Sequence, residues 1–532
     1  MTRLRRTCFL LSLMLVAAAA TAQMTPIELE FGYRWLDLKG SRAMYRSQIN
    51  EQDGFVLRSL TFHLLSPESG ATLVDSLRFD ATDLGLGPAS AMRLEAMRSD
   101  LYRLNLRYRK TDAFSNLPLF ANPLVARGLT VGQHGFDRTR DLFDGDLEFL
   151  RWRSIKPFIG YSWNKYDGPG TTTYHVGQDE FLLLQDLHDT TREFRAGAGF
   201  ELGAFSGEVT QGWRQVRGTE SLSLAPGAPG GNNPGPVLGT PVTITELTRA
   251  SRTDVDTPYT HAHVTGTASR ARLMASFSRF SADSDRSDRE DLTGSLASFA
   301  IGRFYSGLAE TIRGNARNTT WRGSAKAELE ITDTVDLLAG FQREHRELEG
   351  SALIDTIFLQ SITFGGADLR DLQSIVTSAN AMERDEDLLS MSVLARPRGP
   401  WSFRAGYAAS TQQVTLSPDL SEIVISGNGQ QGTYDRRVNT LDLGSTFARS
   451  GFLVTASWKH DDADMPILRT DFLDRNRYRV RAAWRAPRYV RFAATADETR
   501  QESNRPEIGY DAKIRQYSGD VEFAPIPSLT FR

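Results

Sequence analysis

A chain of 532 residues, 40% hydrophobic and 24% charged, is long enough for several soluble domains, but its patterning does not divide that way. The formal charge of −3 gives no basic excess to suggest nucleic acid, and no apolar run long enough for a membrane helix follows residue 22. The one cysteine, Cys8, lies near the N-terminus, so the chain beyond it has no disulfide, thiolate-bound zinc, iron–sulfur cluster or covalent haem; no cofactor of its own is expected.

Residues 1–22 read as a signal peptide. Arg3, Arg5 and Arg6 precede the apolar stretch Phe9 to Ala20, and Ala20-Thr21-Ala22 offers small residues for cleavage before Gln23. Cys8 sits ahead of the apolar stretch, where a lipoprotein cysteine would not be. An exported chain of this kind belongs in the periplasm, the outer membrane or the medium.

Period-two alternation then begins at once. Ile27, Leu29, Phe31, Tyr33 and Trp35 share one face, and Glu28, Glu30, Gly32 and Arg34 the other, a separation that a strand makes and a helix does not. Tyr102, Leu104, Leu106 and Tyr108 oppose Arg103, Asn105, Arg107 and Arg109. The same pattern returns at Trp401 to Tyr407, Phe452 to Trp458 and Tyr478 to Trp484. The segments run roughly 9–12 residues, the length of a tilted membrane-crossing strand. Aromatics such as Trp35, Tyr108, Trp401, Trp458 and Trp484 sit near the ends of the apolar faces, where interfacial girdles would place them.

The connections alternate in length. Short turns are expected near 202–204, 269–270, 332–334, 397–400, 449–451, 487–489 and 525–528. Long polar segments lie between them, roughly at 167–190, 217–256, 282–317, 346–384, 415–433, 461–475 and 499–512. Residues 37–53 form the first long one, as required if the first strand rises from the periplasm. Such parity belongs to transmembrane barrels. About 21 strand-like segments fit between 27–36 and 528–532, with the weakest pattern at 74–82, 90–98 and 143–150. The expected fold is all-β: one large antiparallel transmembrane β-barrel of about 20–22 or more strands over residues 23–532, with long outer loops and short periplasmic turns, in the outer membrane of a Gram-negative-type bacterium. Strands that start at residue 27 leave no room for a plug domain ahead of the barrel. Leu529 to Arg532 begin an ascending strand, and a single-chain bacterial barrel uses an even number, so truncation at the C-terminus is expected.

Few motifs carry chemistry. Gly427-Asn428-Gly429-Gln430-Gln431-Gly432 matches a dinucleotide fingerprint, but it lies between two strands with no helix to follow and reads as an outer loop. His261 and His263 share a strand face and make half a metal site with no third ligand identifiable. Asp461, Asp462 and Asp464 are candidate calcium ligands in an outer loop, or simply soluble loop acids. No Gly-x-Ser-x-Gly elbow or His-Glu-x-x-His helix is present, and no enzyme is expected. The inward face has most to say. It carries Arg103, Arg107, Arg109, Arg404, Arg479, Arg481, Arg485 and Arg491, with Glu28, Glu30, Asp336 and Asp442. Such a lumen must be wet or face a polar partner. It is a solvated wall, an anion-favouring surface, or a docking strip for an acidic protein or haem propionates.

The opening Phe31-Gly32-Tyr33-Arg34-Trp35-Leu36-Asp37, with Met44-Tyr45-Arg46 and Asn50 to Gly54, resembles the start of MtrB/PioB-type outer-membrane barrels. The strand array without a plug is similar too. The resemblance implies a barrel that sheathes a periplasmic multihaem cytochrome, so that electrons cross the outer membrane. Some family members carry an N-terminal Cys-x-x-Cys that this chain lacks. Two further readings stand beside the sheath: a solute-diffusing porin, and an outer-membrane enzyme or adhesin acting through its long loops. In each of these, outer-membrane lipid surrounds the wall.

Overall fold

The fold follows from a computed structural model, which describes residues 23–24, 27–65, 74–85, 87–116, 134–152, 154–176, 179–226, 236–237, 240–241, 243–298, 302–363, 369–417, 432–467, 471–485, 490–503, 509–526 and 529–531. The leader 1–22, with Cys8, and the glycine motif up to Gln431 lie outside the described residues. In chain order the strands are β1 (Gln23–Met24), β2 (Glu28–Arg34), β3 (Gly54–Leu65), β4 (Ser76–Leu84), β5 (Ala89–Arg98), β6 (Tyr102–Ser115), β7 (Phe136–Phe149), β8 (Ile155–Val176), β9 (Asp179–Leu202) and β10 (Phe205–Leu224). A two-residue pair, β11 (Pro236–Val237) and β12 (Thr240–Pro241), stands apart. Then come β13 (Thr243–Ala268), β14 (Ala271–Ser298), β15 (Arg303–Thr332), β16 (Val335–Thr363), β17 (Arg370–Ala395) and β18 (Trp401–Ser417). The rest are β19 (Gly432–Arg449), β20 (Phe452–Ala463), β21 (Asp474–Arg485), β22 (Val490–Ser503), β23 (Tyr510–Ile526) and β24 (Leu529–Phe531).

All but β11 and β12 join one 22-stranded sheet, each strand antiparallel to its neighbours in the chain. β1 and β2 pair with the same edge of β3 and form one rung, so the meander has 21 rungs. Every segment expected from the alternation is a strand, including the three with the weakest pattern. This is the architecture of a large antiparallel transmembrane β-barrel. Among the described residues no ladder joins β24 to β1 or β2.

Register keeps one apolar face continuous across the sheet. Leu60 stands between Leu29 and Ala81, and Leu94 between Phe79 and Leu106. Phe341 pairs with Leu389, Leu443 with Ala405 and Trp458, and Val480 with Ala456. A one-residue slip would turn this whole set over, so the pattern itself pins the register. Most of the face is open, with Leu389 62% exposed, which suits lipid rather than water. On β3 and β4 it is buried, where Phe62, Leu64, Phe79 and Ala81 pack together. Aromatics bound the face. Trp401 lies against Phe447, and Trp484 between Phe452 and Phe492, next to the short turns. Six residues further along the same strands stand Tyr407, Trp458 and Tyr478, about 20 Å away at the usual rise.

The faces make a testable pair. Leu106 lies on the apolar face between Leu94 and Gly145, and Arg107 on the opposite one. Leu106→Arg is expected to cost roughly 2–4 kcal/mol near the membrane midplane. Arg107→Leu should cost much less. Heat-modifiable migration on gels reads the folded fraction, and equal yields would contradict the assigned faces.

Beyond the apolar band the wall does not end. β13 to β17 are 26 to 30 residues long, about 85–100 Å of strand. The long outer connections are therefore in large part β-ribbon, and Asp283 to Asp291 lie within β14, paired on both sides. Their polar sequence suits a water-exposed ladder in which neighbours neutralise one another. Arg317 donates to Asp283 at 2.6 Å, Arg217 to Asp256 at 2.8 Å, and Arg286 to Asp288 at 2.8 Å.

Two features organise the outer end. Tyr174 of β8 donates to Glu290 of β14 at 2.8 Å, although three strands separate them in the sheet. The ribbons thus curl about the polar face, which is the concave one. Inside the curl Phe181, Leu183, Ile244, Leu247, Leu292 and Leu296 form a dry cluster, each at most 2% exposed. The second feature is α1 (Arg42–Gln48), capped by Ser41, in the first long connection. Arg46 donates twice to Asp137 at 3.1 Å and lies 3.9 Å over the Phe114 ring. Asn50 donates to the Asp112 carbonyl, and Ser47 Oγ accepts from the Asn116 amide. The part of the resemblance around Met44-Tyr45-Arg46 and Asn50 is thus a clasp onto the outer ends of β6 and β7.

Candidate functional site: the concave polar face

The concave face is built by the residues that alternate with the apolar ones. All eight arginines singled out from the sequence lie on it, because each neighbours an apolar-face residue in a regular ladder. Four have acidic partners. Arg103 meets Glu148 at 3.1 Å, Arg404 meets Asp442 at 3.3 Å, Arg479 meets Asp497 at 2.5 Å and Arg491 approaches Glu522 at 3.8 Å. Among the described residues Arg107, Arg109, Arg481 and Arg485 have no ion pair. Arg485 and Arg491 stand directly opposite one another across β21 and β22. Like charges so placed repel and favour an anion between them. The other predicted acids differ: Asp336 pairs with Arg396, whereas Asp442 serves Arg404.

Further along the same face lies a network that alternation alone does not show. Arg195 bridges Asp144 at 2.9 Å and Asp146 at 2.7 Å, reaching across β8. Glu193 accepts from Arg214 and from Tyr259, both at 2.7 Å, the latter reaching across β10. Glycines make these reaches possible. A Cβ on Gly160 would stand within 2.5 Å of Arg195, and one on Gly212 within 2.3 Å of the Tyr259 ring. These contacts skip a strand, so their only local trace is a glycine in a strand, a mark of close approach.

Two of the three candidate calcium aspartates, Asp461 and Asp464, have other partners. Asp461 lies in β20, not in a loop, and is 1% exposed. It accepts from Thr440 at 2.7 Å, Arg475 at 2.8 Å and Arg477 at 3.0 Å, with Lys459 at 3.5 Å. It sits beyond Trp458 and so outside the apolar band. Burial works to raise its pKa, but these hydrogen bonds and the arginine charges win and lower it to about 2. Three cations and a hydroxyl leave no coordination to spare. Asp464 caps the Arg437 amide at 2.8 Å. His261 and His263 lie on the concave face with ring centres 5.9 Å apart, across from Thr210 and Glu208.

No known family model matches the chain, and no curated protein sequence does. Several solved structures are similar to it. The copper transporter OprC matches at 9% identity and a TM-score of 0.36, over 82% of this chain and 72% of that one. The ferric yersiniabactin uptake receptor FyuA from Yersinia pestis matches at 9% and 0.38, over 91% and 79%. The iron transporter FrpB from Neisseria meningitidis matches at 8% and 0.36, over 88% and 80%. Values this low say nothing about a shared cargo or partner.

Proposed function

We propose that the protein is an outer-membrane barrel whose lumen houses a periplasmic multihaem cytochrome, as a sheath for electron transfer across the membrane. The observation that supports this is the size of the wall. Twenty-one rungs at the usual spacing and tilt, once closed, would make a cylinder about 40 Å across, backbone to backbone. Open aqueous channels are made by barrels of roughly 16–18 strands, and those of about 22 carry a plug. An empty lumen of this width would abolish the permeability barrier. Among the described residues no element lies across the concave face, since the helix α1 packs at the outer end of β6. A separate polar body is the natural filling. The resemblance of Phe31 to Asp37 and Met44 to Arg46 supports a cytochrome as that body, and guanidiniums without an ion pair among the described residues suit haem propionates.

The test is purification of the barrel from native membranes in mild detergent. A stoichiometric c-type haem absorbance that elutes with it supports the sheath. Barrel free of haem, with a steady conductance in planar bilayers, supports the second reading, an anion-favouring porin, to which Arg107, Arg109, Arg481 and Arg485 also speak. Replacement of Arg479, Arg481 and Arg485 with Gln distinguishes a working strip from a solvated wall. Rim charges act on affinity and encounter, so a loss of about tenfold in cytochrome retention, or a clear shift of reversal potential towards cations, is expected. An unchanged value of both would reduce the cluster to a wall.

A further inference from the structure

We propose a divalent metal site on the outward face of β16 and β17, at the outer edge of the membrane band, formed by His345, Glu383 and Asp385. Two adjacent strands place these groups together. His345 stands directly opposite Asp385, and Glu347 directly opposite Glu383, so i and i+2 positions of both strands form a square on one face. His345 Nδ1 is 3.0 Å from an Asp385 oxygen and 3.9 Å from a Glu383 oxygen. The three ligand atoms all lie within 4.8 Å of one another. Metal bonds of about 2.0–2.2 Å set neighbouring donors roughly 3.0–3.4 Å apart. His345 and Asp385 already stand 3.0 Å apart, so a shift of Glu383 by roughly 1–1.5 Å completes the set.

A second observation asks for a cation at this place. Glu347 and Glu383 are like charges directly across a strand pair, an arrangement that destabilises a sheet unless something neutralises it. The cations nearby do not close on the pair. Arg317 donates to Asp283 and acts on Glu347 only through its charge, and Arg343 makes long ion pairs with Asp385 at 4.0 Å and Asp387 at 3.8 Å. The imidazole is already oriented: Trp321, its register partner on β15, stacks on it with ring centres 5.9 Å apart. His345, Glu383 and Asp385 are open enough for an ion to enter, at 22%, 55% and 30% exposure of their side chains.

One imidazole and two or three carboxylates form a mixed nitrogen and oxygen set that suits Zn²⁺ and neighbouring divalent transition ions better than the all-oxygen shell of Ca²⁺ or Mg²⁺. The ion would tie β16 to β17 where the two strands leave the membrane and continue as ribbon. Four residues separate His345 from Phe341 on the same face, so the tie would lie at the level of the outer aromatic belt.

The test is titration of the chelator-stripped, folded protein with Zn²⁺ by calorimetry. One saturable equivalent is expected. Loss of an outer partner alone costs roughly 10–100-fold in metal affinity, so loss of a ligand in His345→Ala, or in Glu383→Gln with Asp385→Asn, should cost at least that. His261→Ala with His263→Ala should keep full binding. Cu²⁺ in place of Zn²⁺ should show nitrogen coupling in its paramagnetic resonance spectrum, absent from His345→Ala. Heat-modifiable migration checks that each variant is folded. Absence of a saturable equivalent in the wild type, or binding that survives both ligand variants, would overturn the site.

Discussion

Phe181→Ala is expected to open the outer ends of the long hairpins while the membrane wall stays folded. Phe181 is 0% exposed, and the buried residues clustered with it come from β9, β13 and β14, with partly buried side chains of β8, β10 and β15 packed around them. Truncating a fully buried phenylalanine costs about 3–5 kcal/mol, partly as lost transfer energy and partly as the cavity left behind. That cost falls on one small cluster. The ribbons around it are otherwise held by ladders and exposed ion pairs, each worth little on its own. One polar contact would remain across the curl, from Tyr174 to Glu290. Burial pushes the Tyr174 phenol up, helped by the Glu290 acceptor, so it donates throughout the physiological range. A single such bond to a carboxylate contributes about 1.5–3 kcal/mol, less than the truncation costs, and cannot hold the tip alone. Limited proteolysis of the folded protein should therefore cut the variant between residues 174 and 298 and spare the wild type. Heat-modifiable migration should stay as in the wild type, because the cluster lies outside the membrane band. Equal protease resistance would show that something other than this cluster closes the tip.

What the sequence makes legible, and what it hides, follows from the range of the forces. The strand cores are legible because lipid on one side imposes alternation that needs no knowledge of the partner strand. Even the weakly patterned 143–150 is strand up to Phe149, the end of β7. Strand ends are not legible, because the ribbons are water-exposed on the outward face and carry no such stripe. Their stability comes from partners such as Arg317 and Asp283, which lie 34 residues apart. Short α1 has no apolar stripe either; its local trace is the Ser41 cap, and its anchor, Asp137, lies 91 residues from Arg46. The face of each arginine can be read from parity. Its pairing cannot: nothing local tells that Arg479 meets Asp497 while Arg481 meets no acid among the described residues. His345, Glu383 and Asp385 are invisible for the same reason, since two strands supply them.

The run Lys459-His460-Asp461-Asp462 misleads in the opposite direction, and Asp461 is where that misreading can be tested. A polar run after Trp458 suggests a loop, yet its neighbours β19 and β21 extend the ladder past it. Asp461→Asn keeps the volume and removes the charge that holds Arg475, Arg477 and Lys459. The cations left behind are partly exposed, and the fall of the Asp461 pKa from 3.8 to about 2 corresponds to a loss of about 2 kcal/mol. The Asp461 site is stringent because no spare acid stands in register to take over: Asp461 pairs with Thr440 on one side and Arg475 on the other. The expected result is a lower temperature for the gel-mobility transition at neutral pH, with the outer ends of β20 and β21 opening first. The pH dependence carries the sign. The folded pKa of about 2 lies below the ordinary value of 3.8, so the stabilisation is complete above about pH 4 and is lost as pH falls through about 2. Wild type and variant should thus differ most at neutral pH and converge towards pH 2. A difference that persists unchanged at pH 2 would mean that the carboxylate charge is not what holds the three cations.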